Sequence, residues 1–80
     1  MKNIEKEKFD LYLKLAKLGD THASYVVGFL YTNGVGVKQD FKKAYSWLDK
    51  SAKLGDKDSI AYLGLHFDID RRTLKGLYNL

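Results

Sequence analysis

Cysteine and proline are both missing from this chain of 80 residues. Without cysteine there is no disulfide, no thiolate metal site and no thiol nucleophile. The absence fits a reducing compartment, and a cytoplasmic location is the expectation. Without proline, no residue forbids a helix from continuing. Long apolar runs are missing too: none approaches the ~18–20 residues of a membrane span. The start, Met1-Lys2-Asn3-Ile4-Glu5-Lys6-Glu7-Lys8, alternates acid and base where a signal peptide would be apolar. No membrane partner is expected. Size limits the rest, because 80 residues make one domain with only ~3–5 kcal/mol of core stability to spare.

Concentrated charge is also lacking. The net charge is +4, but counted in blocks of twenty along the chain it is +1, 0, +2 and +1. Phosphate binding calls for a clustered basic stripe. The adjacent basic pairs are Lys42-Lys43 and Arg71-Arg72, with Asp40 and Asp70 beside them. Nucleic acid is therefore not the expected partner.

What the chain does contain is an internal echo. Leu15-Ala16-Lys17-Leu18-Gly19-Asp20 returns as Ser51-Ala52-Lys53-Leu54-Gly55-Asp56, a shift of 36 residues from Gly19 to Gly55. Tyr25/Ala61, Val27/Leu63, Gly28/Gly64, Phe29/Leu65 and Tyr31/Phe67 keep the register. A fixed period in the ~20–50 residue range marks stacked repeats, whose units cannot bury their apolar faces alone.

Apolar spacing predicts helices throughout. The first runs over 4–18, capped by Asn3, with Glu5 and Glu7 in its first turn; Leu11, Leu15 and Leu18, with Tyr12 and Ala16 alongside, form its expected packing stripe. Gly19 closes it, and Asp20 or Thr21 caps the next, over about 21–32. On that second helix Ala23, Val27, Leu30 and Tyr31 should pack inward. Gly28 in mid-helix costs ~1 kcal/mol against alanine, so it implies close approach of a neighbouring helix, as does Gly64 one period on. A third helix over 41–54 is capped by Asp40, and a fourth covers about 57–67.

Candidate chemistry is thin. Asn33-Gly34-Val35-Gly36-Val37-Lys38-Gln39-Asp40 follows a helix and lacks the third glycine of a dinucleotide loop and the Gly-Lys-Ser/Thr of a P-loop, so it reads as a turn with Val35 or Val37 tucked between helices. Ser24, Ser46, Ser51 and Ser59 have no nucleophile elbow around them. His22 and His66 occupy non-equivalent repeat positions, and Asp68 and Asp70 beside His66 read as caps rather than metal ligands. No catalytic residue, cofactor or metal is expected.

The series Ala23…Val27-Gly28…Tyr31…Gly34-Val35-Gly36-Val37…Asp40…Lys43-Ala44…Trp47-Leu48…Ser51-Ala52…Gly55-Asp56 resembles the Sel1-like repeat, a relative of the tetratricopeptide repeat, over about residues 16–67. The resemblance implies an all-α fold of antiparallel helix pairs stacked as a short right-handed α-solenoid of four to five helices. It divides the single domain into a half repeat at 4–18, a complete repeat at 20–55, the first helix of another at 56–69 and a divergent C-terminal cap at 70–80. In the 36-residue register Asp70 takes the place of Gly34 and Arg72 that of Gly36, so the period breaks there.

The resemblance also implies a non-enzymatic adaptor or scaffold that binds another protein on the concave surface, lined by the first helix of each pair. Opposite the packing face, the second helix carries His22, Tyr25, Phe29, Thr32 and Asn33. The partner-binding candidates are Tyr25, Phe29, Thr32 and Asn33 together with Tyr62, Leu65 and His66 from the fourth helix. Aromatics are effective anchors, burying large area at small entropic cost; the competing reading makes Tyr25, Phe29 and Tyr62 core residues. A second functional reading is a small inhibitor or immunity-type protein that neutralises a partner enzyme or toxin. Leu74, Leu77, Tyr78 and Leu80 have the spacing of one helical face, expected to cap the stack or to serve self-association or a partner.

Overall fold

Asn3, Asp20, Asp40, Asp56 and Asp70 each begin a helix. In each case the side-chain oxygen accepts a backbone N–H of the first turn, from Lys6 (3.0 Å), Ala23 (2.8 Å), Lys43 (3.0 Å), Ser59 (2.9 Å) and Thr73 (3.0 Å) respectively. Such a cap contributes about 1 kcal/mol. The computed structural model describes residues 3–79. Its helices are α1 (Ile4–Lys17), α2 (Thr21–Asn33), α3 (Phe41–Lys53), α4 (Lys57–His66) and α5 (Arg71–Tyr78), with no strand among the described residues. The echo marks the junctions: Gly19 (φ 97°) and Gly55 (φ 92°) turn the chain out of α1 and α3, and Asp20 and Asp56 restart it.

Each helix packs on its neighbour in sequence, and α5 also touches α3. Successive helices reverse direction. Phe9 near the start of α1 meets Tyr31 near the end of α2, and Ser51 near the end of α3 donates to the Thr21 carbonyl at the start of α2 (2.9 Å). The result is a short helical-repeat solenoid, 46 Å long and 16 Å at its thinnest. Its core is a row of two groups. Phe9, Ala16, Ala23, Val27, Leu30, Tyr31 and Ala44 lie between α1, α2 and α3; Leu48, Ala52, Ile60, Tyr62, Leu63 and Leu74 lie between α3, α4 and α5. Helix α3 joins them, giving Ala44 to one and Leu48 to the other.

Gly28 has the reason its position implies. A Cβ there would stand 2.5 Å from Leu48 Cγ and 3.2 Å from the Ala44 carbonyl oxygen, so α3 lies directly on it. The loop Gly34–Asp40 folds back between helices: the Val35 N–H donates to Leu30 O, the Asp40 N–H to Tyr31 O, and both Val35 and Val37 pack on the core.

Two expectations are corrected. The stripe Leu11–Leu15–Leu18 does not face the core. Those residues are 57%, 38% and 79% exposed; of the expected stripe Tyr12 and Ala16 turn inward, joined by Phe9 and Leu13. Helix α1 is apolar on two sides, and spacing alone does not say which side α2 takes. Nor does the repeat end as the fixed register implies. Helix α4 is three residues shorter than α2 (10 against 13) and its following loop is shorter too, so Asp70 stands where Asp40 does, as the cap of a helix. Leu74, four residues past that cap as Ala44 is past Asp40, packs on Gly64 and closes a second helix pair. Leu77 is 50% exposed, and Leu80 lies outside the described residues.

Tyr78 secures α5, donating its hydroxyl to Asp49 of α3 (2.7 Å). Burial first, and then this bond, push its phenol well above the ordinary tyrosine range. An unfolded tyrosine ionises near pH ~10 while the folded one keeps its proton, so this stabilisation is complete below pH ~10 and is lost as pH rises beyond it. Tyr78→Phe is expected to cost about 1 kcal/mol at neutral pH and to flatten the alkaline fall in stability. Urea titrations at pH 7 and above pH 10 check both.

Candidate functional site

Helices α2 and α4, the first members of the two pairs, lie side by side and share a row of aromatic rings. Tyr25 and Phe29 are four residues apart on α2 and so project together. Between them from α4 comes Tyr62, edge-on to both, at ring-centre distances of 5.9 Å from each and interplanar angles of 84° and 64°. His66, one turn beyond, stacks flat on Tyr62 at 4.0 Å and 22°. His22 lies 6.2 Å from Tyr25 at the other end. Asn33 Nδ2 reaches across to the Tyr62 hydroxyl at 3.2 Å while also donating to the Phe29 carbonyl at 3.0 Å, which ties the end of α2 to the middle of α4.

The seven sequence candidates separate. Tyr25, Phe29, Asn33, Tyr62 and His66 come together. Phe29 is 41% exposed and Tyr25 half-buried, whereas Tyr62 is only 7% exposed and supports the others from beneath. The Thr32 hydroxyl turns back to the Gly28 carbonyl (2.8 Å), so it is spent within its own helix. Leu65 is 80% exposed and stands outside the ring cluster. The rings thus form a firm, partly wet platform: apolar faces to bury, with the Tyr25 hydroxyl, His22 and His66 as polar partners at its edges. Burial first, then Asp58, the Tyr62 phenol and Asp56, raise the Tyr25 pKa.

Two features escaped the linear reading. Phe41 and Tyr45 of α3 bracket Phe67 at 6.4 and 5.9 Å, a second ring cluster where α3 meets the end of α4. Charge also segregates by helix. Helix α3 carries Lys42, Lys43, Lys50 and Lys53 against Asp49, and α5 carries Arg71, Arg72 and Lys75 with no acid inside it. These α5 cations line an open groove of ≈ 520 Å³. Blocks of twenty along the chain hide this because α3 and α5 become neighbours only on folding. Among the described residues no group of three His, Asp or Glu side chains is placed to hold a metal ion, and Asp70 is engaged in capping. Among the described residues no helix is long and apolar enough to cross a membrane.

Comparison with known proteins agrees with this architecture. Residues 21–56, which span α2, the glycine loop, α3 and the next cap, match the Sel1 repeat family. A sel1-like repeat-containing protein, L18 of Acanthamoeba polyphaga mimivirus, is 40% identical over 42 residues, covering 52% of this chain. The chain spans 7% of that relative's length. No solved structure matches the chain.

Proposed function

We propose that this chain, whose residues 21–56 match the Sel1 repeat family, is a non-enzymatic interaction module that holds a partner protein on the α2/α4 face. Repeats of this family generally mediate protein–protein contacts. The observation that carries the reading to this face is the ring platform: Phe29 exposed, Tyr25 half-buried beside it, Tyr62 buried beneath them, His66 stacked on it. A platform already ordered in the free protein loses little side-chain entropy when a partner covers it. Aromatic anchors of this kind are the usual centres of binding energy, contributing about 2 kcal/mol or more each. The partner surface that fits is apolar at its centre, with hydrogen-bonding groups toward Tyr25, His22 and His66.

The test places a photo-crosslinking phenylalanine analogue at position 29 and, as a control, at position 42 on α3. A specific partner protein is expected to be trapped from position 29 and not from 42. With that partner purified, Phe29→Ala should weaken binding by tenfold or more, against a cost to the fold of only about 0.5–1.5 kcal/mol for the lost edge-on contact with Tyr62. Equal trapping from both positions, or unchanged affinity of Phe29→Ala, would remove this face from consideration.

A further inference from the structure

Helix α1 has an apolar side that nothing among the described residues covers. Ile4, Leu11, Leu15 and Leu18 are 72%, 57%, 38% and 79% exposed, while Phe9 and Ala16 on the opposite side are buried against α2. Together with Lys8 these residues fall at successive spacings of four, three, four and three. That is the a/d seam of a two-stranded coiled coil, with a lysine at one a position.

The repeat register shows that this seam is not shaped for another repeat helix. Moved by the 36 residues that take Gly19 to Gly55, Lys8 falls on Ala44 and Leu15 on Ser51. Ala44 and Ser51 are fully buried where α3 meets α2. The Ala44 carbonyl oxygen lies 3.2 Å from where a Cβ on Gly28 would be, and Ser51 bonds to the Thr21 carbonyl. That approach depends on small side chains. With Lys8 and Leu15 in their places, a helix of the α2 kind cannot lie as close on α1 without overpacking.

Charge indicates what does fit. Glu7 and Lys14 stand one heptad apart along the same edge of the seam, in the g position. In a parallel pair their cross-helix neighbours would be Tyr12 and Gly19, which carry no charge. In an antiparallel pair each Glu7 lies beside the other copy's Lys14, twice over, by symmetry. We infer that the α1 seam joins two copies of this chain, α1 against α1 antiparallel, about a twofold axis. A 14-residue helix is only about 21 Å long, and one of its faces offers less than the ~800 Å² per partner of a standard interface. The dimer is therefore concentration-dependent.

Because the chain has no cysteine, single introduced cysteines report the geometry. A mixture of Glu7→Cys and Lys14→Cys proteins is expected to form disulfide dimers at least tenfold more readily than either protein alone. Sedimentation equilibrium of the unmodified chain should show reversible dimer between micromolar and millimolar concentration. Leu11→Lys, at an exposed position, should weaken that association at least tenfold with the circular-dichroism melt unchanged. A monomer throughout, equal crosslinking of mixed and unmixed cysteine variants, or a dimer indifferent to Leu11→Lys would overturn the proposal. So would a monomer that binds phosphatidylserine vesicles and loses them on Leu11→Lys, which assigns the seam to a membrane surface.

Discussion

Replacing Gly28 with valine is expected to leave the chain unfolded at 25 °C. The new Cβ alone would sit 2.5 Å from Leu48 Cγ and 2.8 Å from Cδ2, and valine adds two methyl groups to it. Leu48 is fully buried and surrounded by Ala52, Ile60 and Leu63, so it has no space to vacate. Relief therefore requires α2 and α3 to separate, which breaks the junction between the two halves of the core. Overpacking by a single methylene costs about 1–3 kcal/mol; three added carbons against a fixed neighbour exceed the ~3–5 kcal/mol available to a domain of this size. Alanine is a milder case, because about 1 kcal/mol of helix propensity offsets part of the clash.

The cause is separable from a generic loss. Leu48→Ala alone should cost about 2–5 kcal/mol by leaving a cavity. Gly28→Ala in that background should recover part of the loss, because the added methyl fills vacated space. Gly64→Ala supplies the contrast: its Cβ would meet the end of the Leu74 side chain at 3.0 Å, which can rotate away. That variant should melt within a few degrees of the parent. Urea denaturation followed by circular dichroism reads all four, and a Gly28→Val protein that melts like the parent would sink the packing account.

These glycines illustrate why much of the fold is legible in the sequence. A helix stop, a cap three residues ahead of the amide it binds and a glycine under a crossing helix are all governed by neighbours close in sequence or by the repeat period. Asp40 and Gly28 therefore read correctly one residue at a time, and the cap of α2 is narrowed to Asp20 or Thr21, of which the structure has Asp20. At residues 70–78 the local reading and the fixed period part company: Asp70 reads as a cap and Leu74, Leu77 and Tyr78 as one helical face, while the 36-residue register, thrown off by the shorter α4 and its shorter loop, puts Asp70 in the loop position of Gly34. The packing side of α1 was equally hidden: Phe9 and Leu11 lie on different sides of one helix, and only the position of α2 decides between them. At the candidate site, the pairing of Tyr25 with Phe29 followed from helical spacing. That Tyr62 lies beneath them, bonded to Asn33, depends on the sideways placement of α4 against α2, which no local rule supplies.

Gly36→Ala is expected to release the first half of α1 rather than unfold the whole chain. Gly36 has φ 72°, which disfavours any side chain by about 1–2 kcal/mol. Its Cβ would also fall on the Glu5 carbonyl group, against backbone atoms that cannot rotate aside as a side chain can. The loop is held on its other side by the Val35 and Asp40 amides bonded to α2 and by Gln39 Nε2 on the Thr32 carbonyl (2.8 Å), so α1 is what moves. Its release sets a ceiling on the cost. The Asn3 cap is about 1 kcal/mol, Phe9 burial about 1.5–3 kcal/mol and the edge-on Phe9–Tyr31 contact about 0.5–1.5 kcal/mol. Gly19→Ala isolates the conformational part, because Gly19 has φ 97° with nothing within 4 Å of its Cβ position. It should cost only about 1–2 kcal/mol. In Gly36→Ala, hydrogen exchange should show α1 amides losing protection while those of α3 and α4 keep it, with a fall in Tm clearly larger than for Gly19→Ala. Equal losses in the two variants, with α1 still protected, would mean that the loop does not rest on α1 in solution.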